Sequence, residues 1–216
     1  MVYQKINSHD EYLKMVEKYS DYEAGTYQYM TLREKMNFLY GVHTDNIPLF
    51  DEDGDDMDTS DDYYAIRDEF LNHPEQFSLN DILVFFEMLD DSCYQPSFMD
   101  NITAIIHNIA RYYQLEGVKF LLAHLSEVPR RGYMFGLFVN VQLLIKDDVT
   151  YQLMKEDVKL DAPDTIMLLR KILSGEDMPG ILEKDGNVNK FPIFAESADE
   201  TELKRKQELE NIILSL

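Results

Sequence analysis

The chain has 216 residues, of which 41 are acidic and 20 are lysine or arginine, so its formal net charge is −21. A surface this acidic repels nucleic acid and anionic membranes, which argues against proteins that bind phosphate backbones or lipid headgroups through charge. Hydrophobic residues make up 45% of the chain. That share is enough to build a core and argues against a disordered protein.

The sequence also bears on where the protein works. No apolar stretch is long enough to span a bilayer, and residues 1–10 lack the apolar segment of a secretion signal. The single cysteine, Cys93, has no partner for an internal disulfide. We therefore predict a cytoplasmic protein that contacts neither membrane nor nucleic acid.

Helix-start signals appear early in the chain. In a capping box, a hydroxyl residue precedes a glutamate by three positions, and apolar residues then follow at helical spacing. Two pairs show this pattern: Ser8 with Glu11, and Thr31 with Glu34. Residues 21–30 connect the two predicted helices. They form either a plain connection or a short strand, because Tyr27, Tyr29 and Thr31 alternate with other residues.

Most of the charge lies in one segment. Residues 51–100 hold 16 acidic residues and one basic residue. Residues 41–62 are predicted to form an exposed loop, because they combine glycine and proline with an acidic run from Asp51 to Asp62. A helix is predicted over 61–72, where its aspartate-rich start suits the positive end of the helix dipole.

Short apolar helices with tight polar connections follow between residues 78 and 173. Helices are predicted over 82–89, 97–114, 116–125 and 132–145, then after a cap at Asp147 and Asp148, after Pro163, and finally after a capping box at Ser197 and Glu200. Helical hairpins stacked side by side produce this pattern. We predict an all-α fold, an irregular HEAT-like stack over 78–216 with an acidic N-terminal helical extension over 1–77. The two parts are expected to form one compact unit, and an irregular single bundle is the competing architecture.

The acidic run fails as a calcium-binding loop. An EF-hand loop that starts at Asp51 places Asp53 and Asp55 correctly, but its sixth residue is then Asp56 rather than glycine. Its twelfth residue is Asp62 rather than glutamate. The five histidines show no zinc-binding spacing. We predict no metal site and no cofactor.

No catalytic motif appears either. The sequence contains no nucleophile elbow, P-loop or dinucleotide fingerprint. Cys93 follows two aspartates, which disfavour its thiolate form. His107 lies within an apolar helix, where a core histidine is expected. We predict that the protein is not an enzyme.

Tyrosines accompany the acidic residues. Carboxylates pair with cations, while tyrosine rings pack against arginine and lysine, so the combination suits a surface that binds a basic protein. The alternative is a solvated surface with half-buried tyrosines. The predicted partner-binding residues are Asp51, Asp53, Asp55, Asp56, Asp58, Asp61, Asp62, Tyr63, Tyr64, Asp90, Asp91 and Tyr94.

Residues 82–173 carry a resemblance to a known family. An apolar helix ends Met-Leu-Asp-Asp91, followed by Ile-Ile-His-Asn-Ile-Ala-Arg-Tyr over 105–112, by Phe-Leu-Leu-Ala-His-Leu over 120–125, and by Asp147-Asp148. This order resembles all-helical immunity proteins of bacterial polymorphic toxin systems. The family has a tryptophan before its penultimate helix, whereas this chain has no tryptophan and places Tyr133 nearby.

The resemblance implies a function. An immunity protein binds its cognate toxin domain in the producing cell and occludes the active site. Nuclease toxins are basic, so an acidic inhibitor would associate with them rapidly. The alternative is a helical scaffold or adaptor protein with no inhibitory role.

Overall fold

The computed structural model describes residues 6, 8–17, 26–90, 96–124, 127–132, 136, 147–159, 181–182, 188–189 and 200–214. These residues form eight α-helices, which confirms the all-α prediction. The helices are α1 (His9–Glu17), α2 (Leu32–His43), α3 (Asp58–Asn72), α4 (Asp81–Phe86), α5 (Pro96–Tyr112), α6 (Gln114–His124), α7 (Asp148–Lys159) and α8 (Glu200–Leu214). Short 3-10 helices cover Thr26–Tyr29, Pro74–Gln76 and Arg130–Gly132.

Two very short strands complete the described elements. Strands β1 (Ile181–Leu182) and β2 (Val188–Asn189) pair antiparallel, with Ile181 opposite Asn189. The sequence allows a short strand within residues 21–30. Thr26–Tyr29 instead form a 3-10 helix, so the strand alternative is wrong for these residues. Among the described helices, none is both long and apolar enough to cross a membrane.

The chain forms two compact units. Unit 1 comprises Met1–Ile109 and Glu127–Gly136, and unit 2 comprises Ala110–Ser126 and Leu137–Leu216. The division at residues 77 and 78 expected from composition stays a prediction. Of the predicted helix over 132–145, the structure describes only Gly132, which ends a 3-10 helix, and Gly136. The predicted helix after Pro163 lies outside the described residues.

Helix α2 begins with the predicted capping box. The Thr31 hydroxyl accepts a hydrogen bond from the Glu34 amide at 3.3 Å, and the Glu34 carboxylate accepts one from the Thr31 amide at 2.8 Å. These two bonds satisfy amides that the first helical turn leaves open. The helix is then buried from Lys35 to His43, so it belongs to the core of unit 1.

An aromatic cluster joins α3, α4 and the segment between them. The rings of Phe70, Phe77 and Phe85 meet edge to face, with centroids 4.8–6.1 Å apart. Each side chain is almost fully buried. Edge-to-face pairs add stability beyond the apolar area that they bury. Helix α4 ends at Phe86, earlier than the predicted end at 89, although Met88 and Leu89 remain buried.

Unit 2 is organised around Tyr151 on α7. Its hydroxyl donates a hydrogen bond to the Glu208 carboxylate at 2.7 Å, which ties α8 to α7. Lys155 and Arg205 each place their charge over the ring, 4.6 Å and 4.9 Å from its centroid. Burial, followed by the bond to Glu208, raises the pKa of the Tyr151 hydroxyl. The start of α7 is capped as predicted, because Asp147 accepts hydrogen bonds from the Thr150 amide and hydroxyl.

The bend between α5 and α6 depends on close backbone packing. Gln114 adopts a left-handed backbone conformation with φ of 51°, which lets α6 start immediately after Tyr113. A Cβ atom at Gly117 would lie 1.9 Å from the carbonyl oxygen of Ala110. Only glycine therefore allows α6 to approach the end of α5 this closely.

Replacement of Gly117 by alanine should destabilise unit 2. The carbonyl of Ala110 is main chain and cannot turn aside like a flexible side chain, so the helices must separate. Overpacking of this kind costs about 1–3 kcal/mol or more. Urea unfolding followed by circular dichroism measures the loss. Gly54→Ala provides a comparison without overpacking, because nothing lies within 4 Å of a Cβ placed there and backbone strain at its positive φ is the only cost. A Gly117→Ala protein as stable as wild type would contradict the described bend.

Candidate binding surface

The acidic turn, residues 51–56, is held by its own backbone. The Asp51 carboxylate accepts hydrogen bonds from the amides of Asp53 and Asp55, both at 2.9 Å. The amide of Asp51 donates to the carbonyl of Asp55 at 2.9 Å. Gly54 supplies the positive φ, 87°, that reverses the chain. The Asp51 carboxylate therefore holds the turn together, and the neighbouring carboxylates can face outward.

The base of the turn is anchored to the core of unit 1. Phe50 pairs with Asp56 through the backbone and stacks on Phe98 of α5, with ring centroids 6.4 Å apart. The Thr59 hydroxyl donates to the carbonyl of Pro48 at 2.6 Å, and Ile47 and Leu49 are buried. The loop predicted over 41–62 is therefore shorter, because α2 continues through His43 and α3 begins at Asp58.

Most of the predicted carboxylates at the turn are exposed. Asp51, Asp53, Asp55 and Asp56 are exposed there, and Asp61 is exposed on α3. Glu52, which the prediction omitted, is exposed as well; its charge was the signal available in the sequence. The side chain of Asp58 lies outside the described residues. Together these groups form a negative surface on one edge of unit 1.

Two predicted residues are not part of that surface. Asp62 is 8% exposed, and its carboxylate accepts a 2.5 Å hydrogen bond from the Tyr12 hydroxyl and a 3.3 Å bond from the Tyr27 amide. Tyr63 is fully buried and packs against Phe98. Both side chains face the core because they lie on the inner side of α3. As buried side chains, they are not available for contact at the surface.

Tyr64 is partly exposed, and the cationic side chain of Arg67 lies over its ring. The Arg67 guanidinium lies 4.9 Å from the centroid of the Tyr64 ring, and its Nε and Nη2 donate to Asp68 at 2.9 Å and 2.7 Å. Neither Arg67 nor Asp68 was singled out from the sequence. Their spacing of three and four residues from Tyr64, typical of neighbours on a helix face, was the signal.

The remaining predicted residues lie apart from the turn. Asp90 sits 4.0 Å from Arg131, whose guanidinium also donates to the carbonyl of Glu87 at 2.6 Å. Asp91 and Tyr94 lie outside the described residues. The predicted set is thus brought together only in part, around the acidic turn and the exposed face of α3.

The chemistry of this surface is that of charge pairing. In the part of the chain that the structure describes, no three histidine, cysteine, aspartate or glutamate side chains converge as a metal site requires. The carboxylates of the turn point outward and do not surround a common centre. Such a surface can pair with several separate cations on a partner.

The sequence did not single out His43, a buried polar side chain of unit 1. It is buried at the end of α2, with ring centroids 5.8 Å from Tyr63 and 6.1 Å from Phe98. Neither ring nitrogen has a hydrogen-bond partner among the described residues. Burial lowers the pKa of His43 from 6.5 to about 3, so the ring is neutral in the folded protein near neutral pH.

No family model, no curated protein and no solved structure matches this chain. Its function must therefore be inferred from its own residues.

Replacement of Asp62 by alanine should destabilise unit 1 far more than the same change at Asp61. The first change leaves the Tyr12 hydroxyl and the Tyr27 amide without their acceptor, at a cost of about 1–3 kcal/mol. Asp61 is exposed, so its loss should stay within about 0.5 kcal/mol. Chemical denaturation of both variants measures the difference. Equal stabilities would show that Asp62 does not hold α1 in place.

Acid should weaken the fold through His43. Between the unfolded pKa of 6.5 and the folded pKa of about 3, the unfolded chain binds a proton that the folded chain does not. Stability contributed by neutral His43 is therefore complete above pH 6.5 and falls as the pH drops through this window. At about pH 5 the loss should be about 2 kcal/mol relative to about pH 8.

The titration of 41 acidic residues also changes stability with pH, so the contribution of His43 is read as a difference between proteins. Urea unfolding of wild type and His43→Leu should be compared at both pH values. Wild type should lose about 2 kcal/mol more than the variant on acidification. Parallel losses in the two proteins would contradict a buried, neutral His43.

Proposed function

We propose that the chain is a binding protein that neutralises a cognate, basic toxin domain by covering its active site. The observation that supports this most is the acidic turn, whose exposed carboxylates are held in place by the Asp51 carboxylate and by packing on Phe98. A surface that is already ordered loses little conformational entropy on binding. The resemblance of residues 82–173 to immunity proteins points to the same role.

Charge placement suits this role. Of the net charge of −21, −15 comes from residues 51–100, which contain both the acidic turn and α3. A local negative field accelerates encounter with a positive partner and orients it as it arrives. Toxin domains that cleave nucleic acid carry positive surfaces for phosphate, and these same surfaces surround their active sites. An acidic protein that pairs with them would block substrate.

The architecture expected from the sequence fits the proposal. An irregular, HEAT-like stack of helical hairpins would give the acidic residues a rigid backing, with the acidic N-terminal extension carrying the contact surface. Binding would then require no catalytic group and no cofactor in this chain. We place the site of action in the cytoplasm, where a producing cell needs protection.

A helical scaffold without an inhibitory role is the second candidate. Tyr112, Val149 and Leu203 are large apolar side chains on unit 2, and each is about half exposed. Exposed apolar residues of this kind can serve as contacts for a further protein. A scaffold would bind its partner and leave the partner's activity intact, so an activity measurement separates the two candidates.

Co-expression tests the inhibitory role directly. Cells that express each toxin domain encoded beside this gene should survive only when this chain is present. Purified chain should also abolish the toxin's activity in vitro at equal molar amounts. Failure to protect against every neighbouring toxin would reject the role, and binding without loss of activity would favour the scaffold.

The acidic turn should control the rate of association. The triple variant Asp53→Asn, Asp55→Asn, Asp56→Asn keeps the backbone bonds of the turn and makes the net charge less negative, from −21 to −18. We expect it to slow toxin association about tenfold at low salt, with a smaller effect at high salt. Stopped-flow fluorescence measures the rate.

A matched variant controls for net charge. Asp10→Asn, Glu17→Gln and Glu156→Gln remove three exposed charges elsewhere and also give −18. This variant should slow association no more than about twofold. Equal slowing by the two triple variants would show that overall charge, and not the acidic turn, attracts the partner.

A further inference from the structure

Helix α3 carries an ordered set of polar side chains on its outer side. Asp61, Tyr64 and Asp68 are three and four residues apart, a spacing that places them on one face. Asp61 and Asp68 are exposed, and Tyr64 is partly exposed. The rings of Tyr64 and buried Tyr63 meet edge to face, with centroids 5.4 Å apart. We call this set the α3 stripe.

The α3 stripe is already occupied by a cation from the chain itself. Arg67 stacks on Tyr64 at 4.9 Å and donates two hydrogen bonds to Asp68, at 2.9 Å and 2.7 Å. Arg67 is the only lysine or arginine between residues 51 and 100, against 16 acidic residues. The one base in this segment thus lies where an aromatic face and a carboxylate meet.

We propose that the α3 stripe is an arginine-binding site, which Arg67 fills in the free chain and an arginine of the basic partner fills in the complex. The inference rests on the proposed function and names the chemistry of its partner. Arginine is favoured over lysine because a planar guanidinium can stack on the ring and donate to a carboxylate at the same time. The contacts of Arg67 display this geometry.

Replacement of Arg67 by an arginine of the partner should cost little free energy. The Arg67–Asp68 pair is at the surface, with 59% of the Asp68 side chain exposed, and exposed ion pairs contribute little to stability. Asp61 lies about one turn before Tyr64 on the same face and offers a second carboxylate to the incoming or the displaced guanidinium. The helix backbone does not need to move.

Peptide binding tests the site without any toxin. Oligoarginine and oligolysine of equal length are titrated into the full chain at one fixed, low ionic strength, with calorimetry as the readout. Oligoarginine should bind about fivefold more tightly than oligolysine. Tyr64→Leu should remove this preference, whereas Tyr64→Phe should retain it because the aromatic face remains.

Tyr112→Leu is the matched control. Tyr112 is 52% exposed in unit 2 and is not part of the α3 stripe, so its loss should leave the preference for arginine unchanged. Thermal unfolding of every variant verifies that unit 1 stays folded. Equal binding of the two peptides to wild type, or the same preference in Tyr64→Leu as in wild type, would overturn the site.

Removal of the resident arginine tests the exchange. Arg67→Ala should strengthen oligoarginine binding about fivefold more than Lys14→Ala. Lys14 is an exposed base on α1, so the control makes the same change in net charge. Equal effects of the two variants would mean that Arg67 does not compete for the site.

These experiments distinguish failure of the arginine site from failure of the proposed function. If oligoarginine binding follows Tyr64 and Arg67 but no toxin is neutralised, the arginine site stands and the immunity role fails. If toxin is neutralised while neither peptide preference nor Arg67→Ala shows the expected change, the immunity role stands and the arginine site fails.

Discussion

The packing of the acidic segment, residues 51–100, depends on one buried carboxylate, that of Asp62. Asp62 accepts a hydrogen bond from the Tyr12 hydroxyl with one oxygen and from the Tyr27 amide with the other, so it joins α1, a 3-10 helix and α3. A buried carboxylate is costly unless its oxygens are paired. Both oxygens are paired here, and the Tyr12 ring also packs on Phe38 of α2 at 4.5 Å. Helix α1 is thereby fixed against the two helices that flank the acidic turn.

Aspartates in this segment do three different things, although the sequence shows them as one run. Asp62 is a structural acceptor in the core, Asp51 is an acceptor that closes the acidic turn, and Asp53, Asp55 and Asp56 are exposed. Like charges repel, so a dense acidic run is unfavourable unless something holds it together. Backbone amides at the turn and hydroxyl and amide donors at Asp62 supply that support. The exposed charges are then available for a partner.

Local signals in the sequence predicted local structure well. The capping box at Thr31 and the cap at Asp147 both form, and the helices after them begin where expected, because each signal involves residues three positions apart. The predictions that were wrong concern residues whose burial depends on contacts with distant parts of the chain. Asp61 and Asp62 are neighbours, yet one is exposed and the other is buried, and the difference depends on Tyr12, fifty residues earlier. His43 was missed because nothing near it in the chain indicates that Tyr63 and Phe98 enclose its ring.

The same limit explains why only part of the predicted binding set lies at the surface. Residue type selected tyrosines and aspartates, but the helical phase of α3 decides which of them face outward. Tyr63 points into the core and Tyr64 lies at the surface, one hundred degrees further around the helix. Surface Tyr64 has a cation over its face, whereas buried Tyr63 packs against the rings of His43 and Phe98. The contact of Arg67 with Tyr64 is therefore the basis for proposing that a partner's arginine binds the same ring.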